Sequence, residues 1–333
     1  MSGALARLDG GMRVRLAICV GLALLFSLSI DGFLSMSTAS SIVENVGLLG
    51  LIGAGMMLTM VVGQLDLAVA SVAAVAAIVA LSLADQSLIL GIAVALGGAA
   101  LYGAGVGWLI GRTGVNSLVL TVCALIGLRG LALVLVPERP AILPFDLLEV
   151  SDALVAPFGP LTLLGVVSLA IVGGLGLLMR QTRLGLSLYA VGGNVERARG
   201  SGVNTTSVYM VAFAGAALLG ATAGILAALR SGSASGTGFE SFLLAGITAA
   251  VVGGVPLEGG RGTILNVLLG ALIIRIIASA VSLGGIPGSF ESIVVGGILL
   301  AMLLFDYVLR RRPKAAAAAR AKTAGGLEAG KPL

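Results

Sequence analysis

Long apolar segments separated by short polar ones make up most of this chain. A helix that crosses a bilayer needs about 20 apolar residues, and somewhat fewer where the helix is broken. The pattern predicts ten spans: Val14–Ile30, Ile42–Val62, Leu67–Leu83, Leu88–Ile110, Leu118–Val136, Leu161–Met179, Val208–Leu229, Phe242–Val255, Thr263–Leu283 and Ser292–Leu309. The eighth is short enough to be re-entrant, and an eight-span arrangement without the third and eighth segments stays open. We therefore expect an all-α membrane protein, a polytopic helical bundle with Gly/Pro-broken helices.

The most polar interruption is Arg180–Ser207, RQTRLGLSLYAVGGNVERARGSGVNTTS, which holds four Arg and one Glu. Arg-rich loops between spans stay on the cytoplasmic side of a membrane. Val195–Arg199 is predicted to be a short helix, preceded by turn and cap residues at Gly192–Asn194 and ended by Gly200–Gly202. A short helix held below a bundle is a surface on which a cytoplasmic motor could push.

The basic residues predict that both ends of the chain are cytoplasmic. Nine Arg before residue 300 and seven Lys and Arg from Arg310 onward then lie inside, which is 16 of 20. Such asymmetry sets membrane orientation. Residues 1–13 are a cytoplasmic N-terminus, 14–309 the membrane domain and 310–333 a basic tail of low complexity, expected to be disordered. The first span lacks a small-residue cleavage site, so we interpret it as retained.

A short internal repeat links the two halves of the chain. Val62–Leu67 and Val252–Leu257 share a V-G-x-x-x-L pattern, and each closes one apolar segment and opens another. Duplicated halves with Gly- or Pro-interrupted spans are typical of transporters, where the interruptions point to the permeation path. The pattern predicts a weak pseudo-repeat, with chance similarity between Gly-rich spans as the alternative.

The residues at these interruptions are candidates for a translocation path. Gln64 and Asp66 offer hydrogen bonds to a polar solute, and irregular backbone at membrane depth is tolerated only beside protein or a water-filled cavity. Asp66 is also expected to cap the helix that begins at Leu67. Gly253 and Gly254 are expected to break the second interrupted helix, because glycine allows close backbone approach.

Three polar residues fall near or within other spans. Asn116 is expected to cap the fifth span, with a gate contact as the alternative. Arg129 lies within that span, where a charge costs about 2.5–3.5 kcal/mol on insertion scales. It either lines the path, pairs with a carboxylate or carbonyl groups there, or makes a structural hydrogen bond near the external end. Arg275 poses the same question, with snorkelling or contact with another subunit left open.

The external loop between the fifth and sixth spans, Pro137–Pro160, contains five prolines and four acidic residues. So much proline rules out one long helix. A stiff, solvated loop is the expected structure, and a docking surface for an extracytoplasmic partner is the alternative.

Composition excludes several functional classes. The chain is 58% hydrophobic and 11% charged, with a mean hydropathy of +1.12, whereas soluble domains are about 25% charged. The net charge of +5 comes from residues at span ends, so no nucleic-acid partner is expected. There is no His, and both Cys lie inside predicted spans, so we predict no metal, no cofactor and no catalytic constellation. Gly253–Gly262 lacks the Lys of a phosphate-binding loop.

Four stretches carry a family resemblance: GQLDLAVAS, RGLALVL, TRLGLSLYAVGGNVERARGSGVN and AAVVGGVPLEGGRGTILNVLLGALII. Together, and in this order, they resemble the permease subunits of bacterial ABC importers for monosaccharides, of the ribose and xylose type, roughly from Gly63 to Asp306. The resemblance implies a bacterial inner-membrane subunit that is not an enzyme. Its implied partners are a second permease copy or paralogue, a cytoplasmic ATP-binding subunit, a periplasmic solute-binding protein and membrane lipid.

The resemblance also implies site residues. The expected ATPase-coupling residues are Gly193, Asn194, Glu196, Ala198, Arg199, Ser201 and Gly202. The expected path residues come instead from the polar and interrupted positions described above: Gln64, Asp66, Asn116, Arg129, Gly253 and Gly254. The sequence departs from the family pattern by placing other residue types at Val195, Arg197, Gly200, Gln64 and Ala70. These departures leave the ATPase partner and the solute open.

The expected function is a passive path for a small polar solute, driven by ATP hydrolysis on another subunit. One alternative is an ion-coupled secondary transporter, for which Asp66 is the only acidic candidate near the bilayer. A second keeps the importer but changes the cargo to branched-chain amino acids, nucleosides or a signalling sugar. A structural membrane scaffold, which would carry no solute, is the third.

Overall fold

The computed structural model describes residues 10–137 and 139–287, together with single positions at 290, 293, 296, 297 and 300. Helices dominate this part of the chain. They are α1 (Gly10–Ser29), α2 (Met36–Val61), α3 (Val69–Ser82), α4 (Ala84–Thr113), α5 (Ser117–Leu135), α6 (Leu148–Val155), α7 (Leu163–Gln181), α8 (Arg183–Gly193), α9 (Val195–Gly200), α10 (Thr205–Ser231), α11 (Glu240–Gly253) and α12 (Ile264–Leu283).

Nine of the ten predicted spans coincide with helices, so the predicted all-α polytopic bundle is confirmed. Seven of these helices are long and apolar enough to cross a membrane: α1, α2, α4, α5, α7, α10 and α12. The count of ten spans is approximate, because α3 and α11 have 14 residues each. That is about 21 Å, less than the roughly 30 Å of a bilayer core. The tenth predicted span and the basic tail fall almost entirely outside the described residues.

Helix α2 forms the centre of the bundle, with α10, α11, α12 and α7 packed around it. In its most apolar stretch 83% of the residues are buried, against 6% for α1 and 11% for α5. Small residues allow the closest approaches: the backbone of Ala216 lies against Gly55, and the backbone of Phe213 lies against Gly103 of α4. Close packing of this kind is how membrane helices associate without a hydrophobic driving force.

The Pro137–Pro160 segment does not form one long helix, as expected, but it is more structured than a solvated loop. Strand β1 (Ala141–Ile142) pairs antiparallel with β4 (Ser233–Ala234), after α10. A 3₁₀ turn and α6 follow, and then β2 (Pro157–Phe158) pairs with β3 (Leu161–Thr162). Leu143 and Leu154 are buried. Their burial and the strand pairing fix the segment onto the end of α10.

Candidate functional site

The predicted short helix in the Arg-rich loop is confirmed as α9. Asn194 is its N-cap and accepts the backbone N–H of Arg197 at 2.8 Å through its side chain. The helix ends at Gly200, and Gly202 follows in the left-handed region at φ +83°. This cap and glycine pair defines a short helix by local chemistry alone.

A second helix in the same loop was not predicted. Helix α8 runs from Arg183 to Gly193, so Gly192 and Gly193 are its last residues and not a turn. The glycines are needed for packing. A Cβ added at Gly192 would overlap the carbonyl oxygen of Val61 and lie 2.7 Å from the nitrogen of Gly260. The end of α8 is therefore pressed against the end of α2.

Val61, Gly192 and Gly260 form a contact that we call the glycine junction. The Val61 carbonyl accepts the backbone N–H of Gly260 at 2.8 Å. The hydroxyl of Tyr189, one turn earlier in α8, donates to the carbonyl of Gly262 at 2.6 Å. Burial raises the pKa of Tyr189 above its usual range, so the phenol stays a neutral donor at physiological pH. The junction joins α8 to the end of α2 and to the loop between α11 and α12.

The two interrupted helices end in the same way. At the end of α2, Gly63 N–H bonds the Met60 carbonyl and Gln64 N–H bonds the Thr59 carbonyl, both at 2.9 Å. At the end of α11, Gly254 and Val255 make the equivalent bonds, to residues three and five positions earlier. Gly63 and Gly254 are both in the left-handed region, at φ +74° and +93°, as this type of helix end requires.

The predicted pseudo-repeat stays a prediction, because this helix end is not specific to the two interruptions. Helices α9 and α12 also end with bonds to residues three and five positions earlier, made by Gly202 and Val203 and by Gly285 and Ile286. The V-G-x-x-x-L pattern pairs Gly63 with Gly253, whereas the left-handed glycine that ends α11 is Gly254.

Two residues that sequence reasoning missed stabilise the end of α11. The Arg15 guanidinium donates to the Val252 carbonyl at 2.8 Å, and the Asn266 side-chain amide donates to the Gly253 carbonyl at 2.7 Å. The last carbonyls of a helix lack intrahelical partners, and a cation there also complements the helix dipole. Because Arg15 belongs to α1 and Asn266 to α12, this helix end is attached to two other helices.

The loop between α2 and α3 is held by polar groups on both sides. Asp66 is fully buried and accepts the backbone N–H of Ala68 at 2.9 Å, just before α3 begins at Val69 rather than at Leu67. Ser117 and Thr121 of α5 bond the backbone N–H and carbonyl of Leu65, each at 3.3 Å. Gln64 hydrogen-bonds Tyr209 of α10. The break is therefore a fixed element, and a path-lining role for Gln64 and Asp66 stays a prediction.

Two of the predicted path residues lie in α5 or at its start. Asn116 caps α5 as expected, accepting the N–H of Leu118 at 2.9 Å. Arg129 forms an ion pair with Glu240, the first residue of α11, at 2.6 Å, and both side chains are about half exposed. The pair joins α5 to the outer end of the broken helix, some distance from the glycine junction.

The predicted coupling residues are mostly available to a partner. Gly193, Asn194, Glu196, Arg199, Ser201 and Gly202 are exposed. Ala198 is the exception, since it is 5% exposed and packs against the bundle. Arg199 bonds the Thr205 hydroxyl at the start of α10. One face of α9 is therefore anchored while its charged face is open.

A polar cavity at the opposite end of α2 was not predicted. It has a volume of about 530 Å³ and is lined by Asn45, Arg230, Arg275 and several serines. A signal was present in the sequence. Ser41 and Asn45, and likewise Arg275 and Ser279, are four residues apart in otherwise apolar helices, so each pair shares one helix face.

Comparison with known proteins places these features in a family. The family model described as "Branched-chain amino acid transport system / permease component" matches residues 38–303. The chain belongs to this family. The expected resemblance to ABC importer permeases is thereby confirmed, and the match includes both helix breaks, the glycine junction and α9.

Similar permeases are named for several sugars. The ribose import permease protein of Escherichia coli (strain K12) is 29% identical over 238 residues, which cover 68% of this chain and 72% of the relative. The L-arabinose ABC transporter permease protein of Azospirillum brasilense is 34% identical over 215 residues, covering 61% and 60%. The galactofuranose transporter permease protein of Escherichia coli (strain K12) is 31% identical over 197 residues, covering 56% of each. No solved structure matches the chain.

Proposed function

We propose that this chain is the translocation subunit of an ATP-driven, binding-protein-dependent importer for a monosaccharide. The observation that carries the proposal is the glycine junction, which packs the end of α8, next to α9, against the end of α2 and against the loop that joins α11 to α12. A cytoplasmic ATPase that binds α9 could move both breaks at once. The chain itself then needs no nucleotide site, and ATP is hydrolysed on a separate subunit.

The proposed mechanism follows from packing. Closure of the ATPase pair displaces α9, and α8 transmits the displacement because the backbone of Gly192 lies directly against the Val61 carbonyl. The ends of α2 and α11 then change position relative to α5 and α12. Helix α9 makes different contacts with the ATPase in its two states. This difference shifts the bundle between a conformation that opens outward and one that opens inward.

A sugar is the proposed cargo because relatives with ribose, arabinose and galactofuranose in their names match the chain over more than half its length. The family description names branched-chain amino acids instead, so these are the second candidate cargo. The polar residues of the cavity described above favour the sugar. An ion-coupled mechanism has less support, because relatives that match the chain are named as ABC transporter permeases.

The proposed assembly contains two permease chains, a pair of cytoplasmic ATP-binding subunits and a periplasmic solute-binding protein, in a bacterial inner membrane with both termini cytoplasmic. The arginines of the α8–α9 segment support this orientation. It puts the glycine junction on the cytoplasmic side and the cavity beside Asn45 on the periplasmic side.

Substitutions in α9 and directly after it test the proposal. In the reconstituted complex, Glu196→Lys should abolish ATPase stimulation by the loaded binding protein, and so should Gly202→Trp, while both variants still insert into the membrane. Asp85→Lys is the matched control, since Asp85 is equally exposed but lies at the start of α4. Normal stimulation in both α9 variants would refute coupling through this helix.

A further inference from the structure

The polar cavity lies between the first half of α2 and the outer ends of α10, α11 and α12. Asn45 is 16 residues from Val61 along α2, which is about 24 Å. The cavity and the glycine junction therefore occupy opposite ends of the same helix. Its volume of about 530 Å³ is in the usual range for small-molecule sites.

Most of the polar residues in the lining are neutral hydrogen-bonding groups, and its two cationic residues are Arg230, which is paired with Glu44, and Arg275. Four serines, at positions 231, 233, 235 and 241, supply hydroxyl groups, and Asn45 supplies an amide. Phe239 and Phe242 form one wall, with ring centroids 5.5 Å apart in an edge-to-face arrangement. A few convergent polar groups beside aromatic surface are typical of a ligand site.

The wall behind Asn45 is preorganised. Glu44 is 5% exposed and forms an ion pair with Arg230. Arg230 also donates to the Asn45 side-chain oxygen at 3.2 Å, and the Asn45 amide nitrogen donates to the Ser41 carbonyl at 2.8 Å. These bonds hold the amide in one orientation, so little entropy is lost when a ligand binds to it.

The charges around the cavity favour a sugar over an amino acid as the ligand. No Asp or Glu is among the described lining residues. Glu44, the residue before Asn45 in α2, forms an ion pair with Arg230. A zwitterionic amino acid would leave its ammonium group without a counter-charge, which is costly in a desolvated site. A monosaccharide carries only hydroxyl groups, and these match serine and amide partners.

A second cavity extends the first toward the outer surface. Its volume is about 320 Å³, and it shares Asn45 and Arg275 with the first. Ser37, Ser41, Ser279 and Ser282 contribute further hydroxyl groups. A polar route thus leads from the outer ends of α2 and α12 to the first cavity.

We propose that the cavity beside Asn45 is a low-affinity acceptor site, where a neutral monosaccharide first binds the permease. This inference rests on the proposed function for its ligand class, but the occupancy of the site does not depend on ATP hydrolysis. The two ideas can therefore fail separately.

Protection of an engineered cysteine tests the site. In the full chain with Cys19→Ala and Cys123→Ala, Ser241→Cys is labelled in membrane vesicles with a membrane-impermeant thiol reagent, with and without ribose, arabinose, galactose or isoleucine at millimolar concentration. Gln86→Cys is the control, because Gln86 is exposed beside the start of α4 and outside the cavity lining. At least one sugar should slow labelling of Ser241→Cys about threefold or more and leave Gln86→Cys unchanged. Adding Asn45→Leu should remove the protection.

Three results would overturn the inference: no sugar protects Ser241→Cys, isoleucine protects it instead, or both cysteines are slowed equally. ATP-driven uptake measured with the same vesicles separates this outcome from failure of the proposed function. If uptake is driven by ATP but no sugar protects Ser241→Cys, the acceptor site is refuted and the proposed function stands. If a sugar protects Ser241→Cys but uptake does not depend on ATP, the site stands and the ABC importer mechanism is refuted.

Discussion

The hydroxyl of Tyr189 and the carbonyl oxygen of Gly262 are 2.6 Å apart, and this hydrogen bond ties α8 to the segment that precedes α12. The Val61–Gly260 bond then links that segment to the end of α2. Steric contact alone can only push, whereas the Tyr189 bond also allows α8 to pull. The bond therefore bears directly on how motion of α9 reaches the bundle.

Tyr189→Phe is expected to weaken coupling without preventing assembly. The variant leaves the Gly262 carbonyl without its donor, a loss of about 1 kcal/mol or roughly fivefold in an equilibrium constant. We expect binding-protein-stimulated ATPase activity to fall severalfold in the reconstituted complex. Tyr102→Phe is the control, because the buried Tyr102 hydroxyl has no hydrogen-bond partner within the described chain. Equal effects of the two variants would argue against a specific role for Tyr189.

Gly192→Ala is expected to separate the end of α8 from α2. The new methyl group would overlap the Val61 carbonyl, which is backbone and cannot rotate away. We expect a lower thermal unfolding midpoint in detergent and the loss of solute uptake. Gly173→Ala, in α7, meets nothing within 4 Å and should be neutral or stabilising by up to about 1 kcal/mol. Uptake at the wild-type level in Gly192→Ala would show that the contact is dispensable.

Arg129→Leu and Glu240→Gln distinguish a path residue from a structural ion pair. Both side chains are about half exposed, so the pair contributes only about 0–1 kcal/mol to stability and both variants should assemble. If the Arg129 charge serves the path, uptake falls in Arg129→Leu and is kept in Glu240→Gln. Full uptake in Arg129→Leu would show that Arg129 is not a path residue. Equal losses of uptake in the two variants would show that the ion pair, and not the Arg129 charge alone, is required.

The proposed orientation predicts a labelling pattern in intact cells. In a cysteine-free background, Glu196→Cys should react with an impermeant thiol reagent only after the cells are permeabilised. Gln86→Cys, at the other end of the bundle, should react in intact cells. Both residues are exposed, so access alone decides the result. Labelling of Glu196→Cys from outside would reverse the topology and remove the ATPase from its proposed position.

Local sequence signals were sufficient for nine apolar helices and for α9, but they did not predict α6 or α8. Apolar length identified the spans, and Asn194 with Gly202 marked the ends of α9, because caps depend on a few neighbouring residues. The same holds for Asn116 as the cap of α5. These elements are encoded by short stretches that can be interpreted without tertiary contacts.

Contacts between residues that are far apart in the sequence could not be predicted from such local signals. The role of Gly192 depends on Val61 and Gly260, which are 131 and 68 positions away. The cavity needs Asn45 and Arg275 side by side, although a polar residue every fourth position in α2 and α12 was a usable signal. Likewise, the sequence did not show which of Gly253 and Gly254 ends α11, because the left-handed conformation of Gly254 becomes visible only in the folded backbone.

The contrast in burial between α2 and the outer helices α1 and α5 has a consequence for the surrounding bilayer. Lipid chains reach α1 and α5 but are kept from α2 by the helices around it. A change in bilayer thickness would first tilt the peripheral helices. The central helix, which ends in one helix break and contributes Asn45 to the cavity wall, would be shielded from that stress.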